Sequence, residues 1–367
     1  MTLMRAVGLM SGTSLDGVDV ALVDTDGERV VTLGPTGYRA YSDAERETLR
    51  GALADAVGLT DRAARPGRLG DAERIVTDAH AEAVEAFLRR HGIGPGDVQA
   101  VGFHGQTVLH RPETRLTVQL GDGAALARRL RIPVVYDFRA ADVAEGGQGA
   151  PLVPVFHRAL AHASGMKLPL AILNVGGVAN VTFIDSGNRL LAFDTGPGNA
   201  LIDDWMRERA GKGIDENGAA AARGKPDETL LAWLLVHPYF SKEPPKSLDR
   251  NWFSARMVGH LSVEDGAATL AAFTARAVGR AVEFAEEEPK RWIVGGGGAR
   301  NPELMRLLGD VLKAEIARAD AIGWSSDHLE AQAFAYLAVR SLRGLPLTFP
   351  STTGVCEAMT GGVVARP

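Results

Sequence analysis

The sequence predicts an α/β protein with two domains that have the same topology, as expected from duplication of one domain. Strand and helix patterns alternate along all 367 residues, which is typical of α/β architectures. This length exceeds what one hydrophobic core usually holds. An apolar strand, a glycine turn, an alternating strand and a further strand occupy residues 5–33, and the same succession returns over residues 168–193. Such a repeat is what a duplicated α/β domain leaves in a sequence.

The domain boundary is expected near residues 163–167, which gives domains of residues 1–165 and 166–367. The last long helix is expected over residues 328–342. It is a candidate to pack back on the first domain.

Several helix ends carry local signals. Ser42 and Glu45 have the spacing of a capping box, which predicts a helix start. Gly92 follows a long amphipathic pattern and is expected to end that helix. Asn301 followed by Pro302 predicts another helix start.

Composition and charge narrow the function classes. The formal net charge is −5, Lys and Arg are scattered, and no run of 18 apolar residues occurs. Neither nucleic acid nor a membrane is therefore expected as a partner. The single cysteine, Cys356, rules out an intrachain disulfide, and the first residues lack a signal-peptide pattern. A cytoplasmic location is expected.

The first glycine turn carries the strongest functional signal. Residues 8–19 read GLMSGTSLDGVD and lie between two strand patterns. Glycines let backbone N–H groups approach a ligand, and successive N–H groups form an anion site. The turn therefore suits a phosphate with Mg²⁺, although an ordinary polar hairpin turn is the alternative. The predicted phosphate-binding residues are Ser11, Gly12, Thr13, Ser14, Leu15, Asp16, Gly17, Val18 and Asp19, with Asp16 as a metal ligand through water.

A carboxylate follows the third strand of the second copy. Asp194 comes directly after Phe193 and precedes a tight turn and a helix start. Ligands of open α/β sheets bind outside the carboxyl ends of strands. Asp194 is therefore predicted to be a general base. The alternative is a turn residue that holds its own backbone.

Other strand ends carry glycines and neutral polar groups. A glycine run lets the flat ring of an adenosine lie on the backbone, and amides suit a polyhydroxylated ligand. The residues predicted from these patterns are Gly296, Gly297 and Gly298 for the nucleotide, and His104, Gln106 and Gln148 for the substrate. Glu330, at the start of the last long helix, is a further candidate for a substrate contact. His104 could instead be structural, and Glu330 could close a capping box with Asp327. The P-loop, dinucleotide and nucleophile-elbow motifs are absent.

Six motifs, in this order, resemble those of the anhydro-N-acetylmuramic acid kinases. They read GLMSGTSLDG at 8–17, HGQT at 104–107, GGQGAPLVP at 146–154, NVGG at 174–177, FDTGPGN at 193–199 and GGGA at 296–299. The resemblance spans nearly the whole chain. It implies the sugar kinase, Hsp70 and actin superfamily, with two duplicated ribonuclease-H-like domains and a central nucleotide cleft. ATP and Mg²⁺ are the implied cofactors. The resemblance also implies that Gly176 and Gly177 bind the nucleotide and that Asn174 binds the substrate. It is compatible with a homodimer.

The resemblance implies one particular reaction. The anhydro bridge of 1,6-anhydro-N-acetylmuramic acid is hydrolysed and O6 is phosphorylated by ATP, which gives N-acetylmuramic acid 6-phosphate in peptidoglycan recycling. Asp194 would take the proton of the water that attacks C1. Residues 246–252 read KSLDRNW, where the family commonly has KSTGRE before an aromatic residue, so loop contacts to the sugar or nucleotide could differ.

Two other functions stay open at this point. One is a superfamily kinase of another sugar or acid, in which Asp194 deprotonates a hydroxyl directly. The other is a non-catalytic, chaperone-like protein that binds ATP.

Overall fold

Two units make up the computed structural model, which describes residues 2–12, 14–248 and 252–367. The first unit comprises Met1–Met166 and His328–Pro367, and the second comprises Lys167–Asp327. The second domain expected from the sequence, residues 166–367, differs from this division at its C-terminal end. The last 40 residues group with the first unit because the helix they contain packs on its sheet.

Strands and helices alternate along both units. The strands are β1 (Met4–Met10), β2 (Gly17–Thr25), β3 (Val31–Ala40), β4 (Ala100–Phe103), β5 (Gln106–Arg111), β6 (Leu116–Leu120), β7 (Val134–Tyr136), β8 (Leu170–Val175), β9 (Val178–Ile184), β10 (Leu190–Pro197), β11 (Arg291–Gly295), β12 (Glu315–Arg318) and β13 (Val363–Ala365). The helices are α1 (Asp43–Ala56), α2 (Leu69–His91), α3 (Gly123–Leu130), α4 (Ala140–Ala144), α5 (Pro154–Ala163), α6 (Ala200–Ala210), α7 (Glu228–Leu235), α8 (Val263–Ala281), α9 (Pro302–Leu312), α10 (Leu329–Leu342) and α11 (Pro350–Thr353). No helix in the described part of the chain is long and apolar enough to cross a bilayer.

The two main sheets repeat one topology. In the first unit the strand order is β3-β2-β1-β4-β7-β13, and in the second it is β10-β9-β8-β11-β12. In each unit the first three strands form an antiparallel meander. A fourth strand pairs in parallel with the first strand of that meander, and a fifth pairs in parallel with the fourth. The predicted duplication of a ribonuclease-H-like domain is therefore confirmed.

The local helix signals have the predicted effect. The Ser42 hydroxyl accepts the Glu45 N–H and the Glu45 carboxylate accepts the Ser42 N–H, so the capping box is complete. Gly92 ends α2 with a φ of 64°, a conformation that glycine adopts without a Cβ penalty. Asn301 accepts the Leu304 N–H at the start of α9.

The hairpin of β5 and β6 extends beyond the sequence prediction. Only the second of these strands has an apolar pattern that the sequence analysis recognised, over residues 117–120. β5 pairs with it from Gln106 to Arg111. Its sequence, QTVLHR, mixes polar and apolar residues without strict alternation, so its partner strand defines it more than its own pattern does.

Two glycines let α10 lie directly on the central strands of the first unit. Gly8 of β1 and Gly102 of β4 are register partners in the parallel pair. A Cβ at Gly8 would lie 1.8 Å from the Ala331 carbonyl oxygen, and one at Gly102 would lie 2.0 Å from that of Phe334. α10 is buried on nearly all sides between residues 331 and 340, as expected for a helix that is apolar around its circumference.

We expect Gly8→Ala to destabilise the first unit, because the new methyl group can be placed only by moving α10 away from the sheet. The loss should be about 3 kcal/mol, the upper range for overpacking a core, measured as a shift of the urea unfolding curve. Gly309→Ala is the matched control. It lies within α9 with nothing within 4 Å of a new Cβ and should stabilise by about 1 kcal/mol. Equal unfolding curves for Gly8→Ala and wild type would contradict the close packing.

Candidate active site

The turn after β1 is fixed by hydrogen bonds within the first unit. The Ser11 hydroxyl donates to Gln106 Oε1 over 2.6 Å and lies 3.1 Å from the Tyr41 hydroxyl. Gln106 Nε2 donates to the Gly12 carbonyl over 3.2 Å. Both side chains are buried. Ser11, predicted to bind phosphate, and Gln106, predicted to bind substrate, therefore hold each other and join the turn to the start of β5.

Three of the predicted phosphate-binding residues have structural positions. Leu15 adopts a φ of 58°, donates its N–H to the Gly12 carbonyl and buries its side chain. Val18 lies wholly in the core. A Cβ at Gly17 would lie 2.3 Å from the Arg39 carbonyl oxygen, so the pairing of β2 with β3 requires glycine there. These residues shape the turn through their packing.

The outer part of the turn is open to solvent. Ser14 and Asp16 are exposed. The nearest atom to a Cβ at Gly12 would be the Ser14 hydroxyl, 3.8 Å away, so the backbone there is accessible to a ligand. Thr13, also predicted to bind phosphate, lies outside the described residues.

Carboxylates gather at the start of β2. Asp19 is half-buried, and burial, followed by the charges of Glu330 and Asp16, raises the pKa of its carboxyl to about 7. His328 Nε2 lies 3.8 Å from Asp19 Oδ1. Hard oxygen donors and excess negative charge are what Mg²⁺ prefers. Asp19 therefore fits a metal ligand better than the exposed Asp16, which the sequence analysis selected.

Glu330 does not close a capping box. The residue that precedes α10 is His328, which makes no side-chain capping bond, and Asp327 forms an ion pair with Arg300. Desolvation by the surrounding protein raises the pKa of the Glu330 carboxyl, and the Arg139 guanidinium lowers it. The side chain keeps access to solvent, so a ligand can reach the Glu330 carboxyl.

His104 is neutral and orients an arginine. Its Nε2 lies 3.1 Å from an Arg139 terminal nitrogen, and its Nδ1 lies 2.8 Å from the Gly105 carbonyl oxygen. Because arginine only donates, Nε2 is the acceptor and Nδ1 carries the proton. Burial lowers the pKa of His104 to about 3. His104 is thus a positioning group for Arg139. The sequence analysis selected His104 but not Arg139.

The segment that carries Gln148 is held by a buried carboxylate. Asp142 Oδ1 accepts the Gly149 N–H over 2.6 Å, and Asp142 Oδ2 accepts the Thr353 hydroxyl over 2.6 Å. The Gln148 backbone donates to the Thr353 carbonyl over 2.7 Å and accepts from His110 Nε2 over 2.9 Å. Asp142 therefore fixes the backbone on both sides of Gln148 and is a second residue that the sequence analysis missed.

In the second unit, Asp194 lies within β10 and not after its end. The pairing of β10 with β9 shifts register between Asp194 and Gly196, and such bulges re-aim side chains. Leu248 donates its N–H to Asp194 Oδ2 over 2.9 Å. Burial raises the pKa of the carboxyl to about 7, and the Leu248 bond opposes this shift. A carboxylate with a pKa near neutrality is suited to general base catalysis.

The predicted glycines of the second unit form one cluster. The Gly176 carbonyl accepts the Asn199 N–H over 2.8 Å, and the Gly177 carbonyl accepts the Gly198 N–H over 3.0 Å. A Cβ at Gly296 would lie 2.3 Å from Asn174 Oδ1. Asn174, predicted as a substrate residue, therefore lies beside the glycine run of the second unit.

Two members of the glycine run differ in their surroundings. Gly298 is buried, and a Cβ there would lie 2.5 Å from Val175 Cγ1. Gly297 is exposed, and the nearest atom to a Cβ there is Asn199 Nδ2 at 3.4 Å. Gly298 therefore serves packing, whereas Gly297 offers an accessible backbone.

We expect Asp194→Asn to stabilise the protein at pH 8. An acid whose pKa is raised in the native state binds more protons there than when unfolded, so it costs stability as the pH rises from about 4 to about 7. The unfolding free energy of the variant should exceed that of wild type by at least about 1 kcal/mol at pH 8 and match it near pH 4. Urea titrations at both pH values test this, with the exposed Glu288→Gln as control. A stability difference independent of pH would contradict the raised pKa.

The chain is similar to proteins of one known family over nearly its whole length. The family model for anhydro-N-acetylmuramic acid kinase matches residues 4–366. Proteins of that name from Methylobacterium nodulans and Methylorubrum populi are 67% and 64% identical, covering 99% and 100% of this chain and 100% of each relative. One from Nitrobacter winogradskyi is 58% identical, with 100% of both chains covered. The chain therefore belongs to the anhydro-N-acetylmuramic acid kinase family.

Proposed function

We propose that this protein hydrolyses the 1,6-anhydro bond of anhydro-N-acetylmuramic acid and phosphorylates O6 with ATP, yielding N-acetylmuramic acid 6-phosphate for peptidoglycan recycling. Support comes from family membership and from the environment of Asp194, where desolvation raises the pKa of the carboxyl to about 7. The second observation carries the mechanism, because a carboxylate with this pKa is a stronger base than an ordinary one and is still partly ionised at neutral pH.

Water is the group that Asp194 acts on. While O6 is bonded to C1 it carries no proton, so a base cannot activate it as it would a free hydroxyl. Asp194 takes a proton from a water molecule as the water oxygen bonds to C1. The C1–O6 bond breaks and its electron pair goes to O6. This step is similar to that of an inverting glycosidase, with Asp194 as the base.

O6 then attacks the γ-phosphorus of ATP. The O6–P bond forms, the bond from the γ-phosphorus to the β,γ-bridging oxygen breaks, and ADP leaves with that electron pair. Phosphoryl transfer requires mainly positioning and charge neutralisation. We assign phosphate contacts to the open part of the turn, at Gly12 and Ser14, with Asp16 acting through the metal ion, and a nucleotide contact to the accessible backbone of Gly297.

Mg²⁺ would be held by Asp19 with Asp16, together with the phosphates. The raised pKa of Asp19 reflects burial and neighbouring carboxylates, which a divalent cation offsets. Among the described residues, no group of three or more His, Cys, Asp or Glu side chains has a metal-binding arrangement. One or two carboxylates are enough for Mg²⁺, because this ion usually keeps several water ligands and binds the phosphates of the substrate. When bound, the ion would neutralise charge on the transferred phosphoryl group.

Sugar contacts are assigned to two charged residues of the first unit. Glu330 and Arg139 offer an acceptor and a donor there, and His104 holds the Arg139 guanidinium in one orientation. A hydroxyl of the sugar can donate to the Glu330 carboxylate, while the Arg139 guanidinium donates to an oxygen of the sugar. Gln148 is a further proposed contact to the sugar.

Isotope labelling tests which atom the water molecule attacks. With anhydro-sugar and ATP in ¹⁸O-water, we expect one ¹⁸O atom at C1 of the product and none in the phosphate, because water attacks carbon. Mass spectrometry of the rapidly quenched product measures this. The unlabelled product kept in ¹⁸O-water for the same time corrects for exchange at C1. Label in the phosphate, or its absence from C1, would rule out the mechanism.

The Asp194→Asn variant tests the base itself. We expect kcat to fall by at least about 100-fold, since general base catalysis contributes 10²- to 10⁴-fold. The affinity for ATP, measured by calorimetry, should stay the same because Asn keeps the size and the hydrogen bond from Leu248. A rate near that of wild type would remove Asp194 from this role.

A further inference from the structure

Lys246 is a buried lysine that the proposed reaction does not use. Its side chain is 4% exposed, and among the residues that the structure describes its ammonium makes no ion pair. Nζ donates to the carbonyls of Tyr239 and Phe240 over 3.1 and 3.4 Å. It also lies 4.1 Å from the ring centre of Phe284 and 5.4 Å from that of Phe193. A buried ammonium is tolerated only with such compensation.

The backbone around Lys246 is bonded to Asp194. The Asp194 N–H donates to the Lys246 carbonyl over 3.0 Å, and the Leu248 N–H donates to Asp194 Oδ2 over 2.9 Å. The Tyr239 hydroxyl donates to the Asp194 carbonyl. Both ends of the segment from Tyr239 to Leu248 therefore meet Asp194.

The ammonium of Lys246 joins these two ends. It leaves the segment near its C-terminal end and binds the carbonyls at its N-terminal end. We propose that Lys246 is a positioning residue for Asp194: by closing this segment, its ammonium keeps the Leu248 N–H on Asp194 Oδ2 and so fixes the direction of the carboxylate. The inference rests on the proposed function in one respect, the role of Asp194 as the base.

Charges around both groups set the expected pH behaviour. Glu243 and Glu283 favour the Lys246 ammonium, whereas Arg280, Lys242 and above all burial oppose it. Burial lowers the pKa of Lys246 to about 8, which leaves it mainly protonated at neutral pH.

Among the residues that the structure describes, the ionisable group beside Asp194 is Tyr239, which stays neutral because burial and the Asp194 charge raise its pKa. The Leu248 bond lowers the pKa of Asp194. Loss of that bond therefore raises the pKa of Asp194. Because activity requires the ionised carboxylate, acidification then abolishes activity at a higher pH than in the wild type.

The test is Lys246→Met, which keeps an unbranched apolar side chain and removes the ammonium. We expect kcat to fall roughly 100-fold, as for a catalytic group displaced by about 1 Å, while both KM values change by less than about threefold. The acid limb of the kcat profile should move to higher pH. Lys242→Met, at an exposed lysine of the same segment, should leave kcat and the acid limb unchanged. A folded Lys246→Met variant with wild-type kcat and acid limb would overturn the proposal.

A second variant guards against failure to fold. Phe284 is only half-buried, and Phe284→Leu removes the ring closest to the ammonium while retaining the lysine. We expect kcat to fall about tenfold with the same direction of change in the acid limb. No change in either quantity would count against a role for the caged ammonium.

The ionisation of Asp194 can also be followed without turnover. ¹³C NMR of the aspartate carboxyls, with the Asp194 signal assigned from Asp194→Asn, should show it titrating at higher pH in Lys246→Met than in wild type. An unchanged Asp194 titration would overturn the positioning role even if the protein proved inactive on the anhydro-sugar. That inactivity in wild type would overturn the proposed function alone.

Discussion

The contact of α10 with β1 and β4 is the constraint on which the first unit depends. Gly8 and Gly102 let the helix backbone meet the strands where any side chain would collide with its carbonyls. The helix is fixed along its length, so its first turn has a defined position as well. That turn carries Glu330, whose charge acts on Asp19 and on Arg139. The absence of two side chains in the sheet thus determines where the Glu330 charge lies relative to Asp19 and Arg139.

The two units use desolvated carboxylates in opposite ways. Asp142 has both oxygens engaged by the Gly149 N–H and the Thr353 hydroxyl, and it serves to hold backbone in place. Asp194 is desolvated, and the Leu248 N–H is the hydrogen bond that opposes its raised pKa. A carboxylate with satisfied oxygens is a structural group, whereas one with a pKa near neutrality can exchange a proton at physiological pH. The hydrogen-bond environment separates the two roles.

Local signals explain how much of the structure the sequence could predict. The duplicated meander and the capping box at Ser42 depend on neighbouring residues, and they were predicted correctly. Asp194 was selected, but its place at a bulge within β10 depends on pairing with β9. Arg139 and Asp142 were missed because their partners lie 7 to 211 positions away in the chain, and no spacing rule links them. The bond between Ser11 and Gln106 spans 95 positions and was hidden for the same reason.

The split of the first unit along the chain has a consequence for biosynthesis. The second unit is one continuous segment, Lys167–Asp327, whereas the first requires His328–Pro367. A ribosome therefore completes the second unit while one face of β1 and β4 still lacks its covering helix. Domains form as units during synthesis once their residues are available, so the half of the protein translated first is the last to close its core. Until then, its central strands present an apolar surface that chaperones can bind.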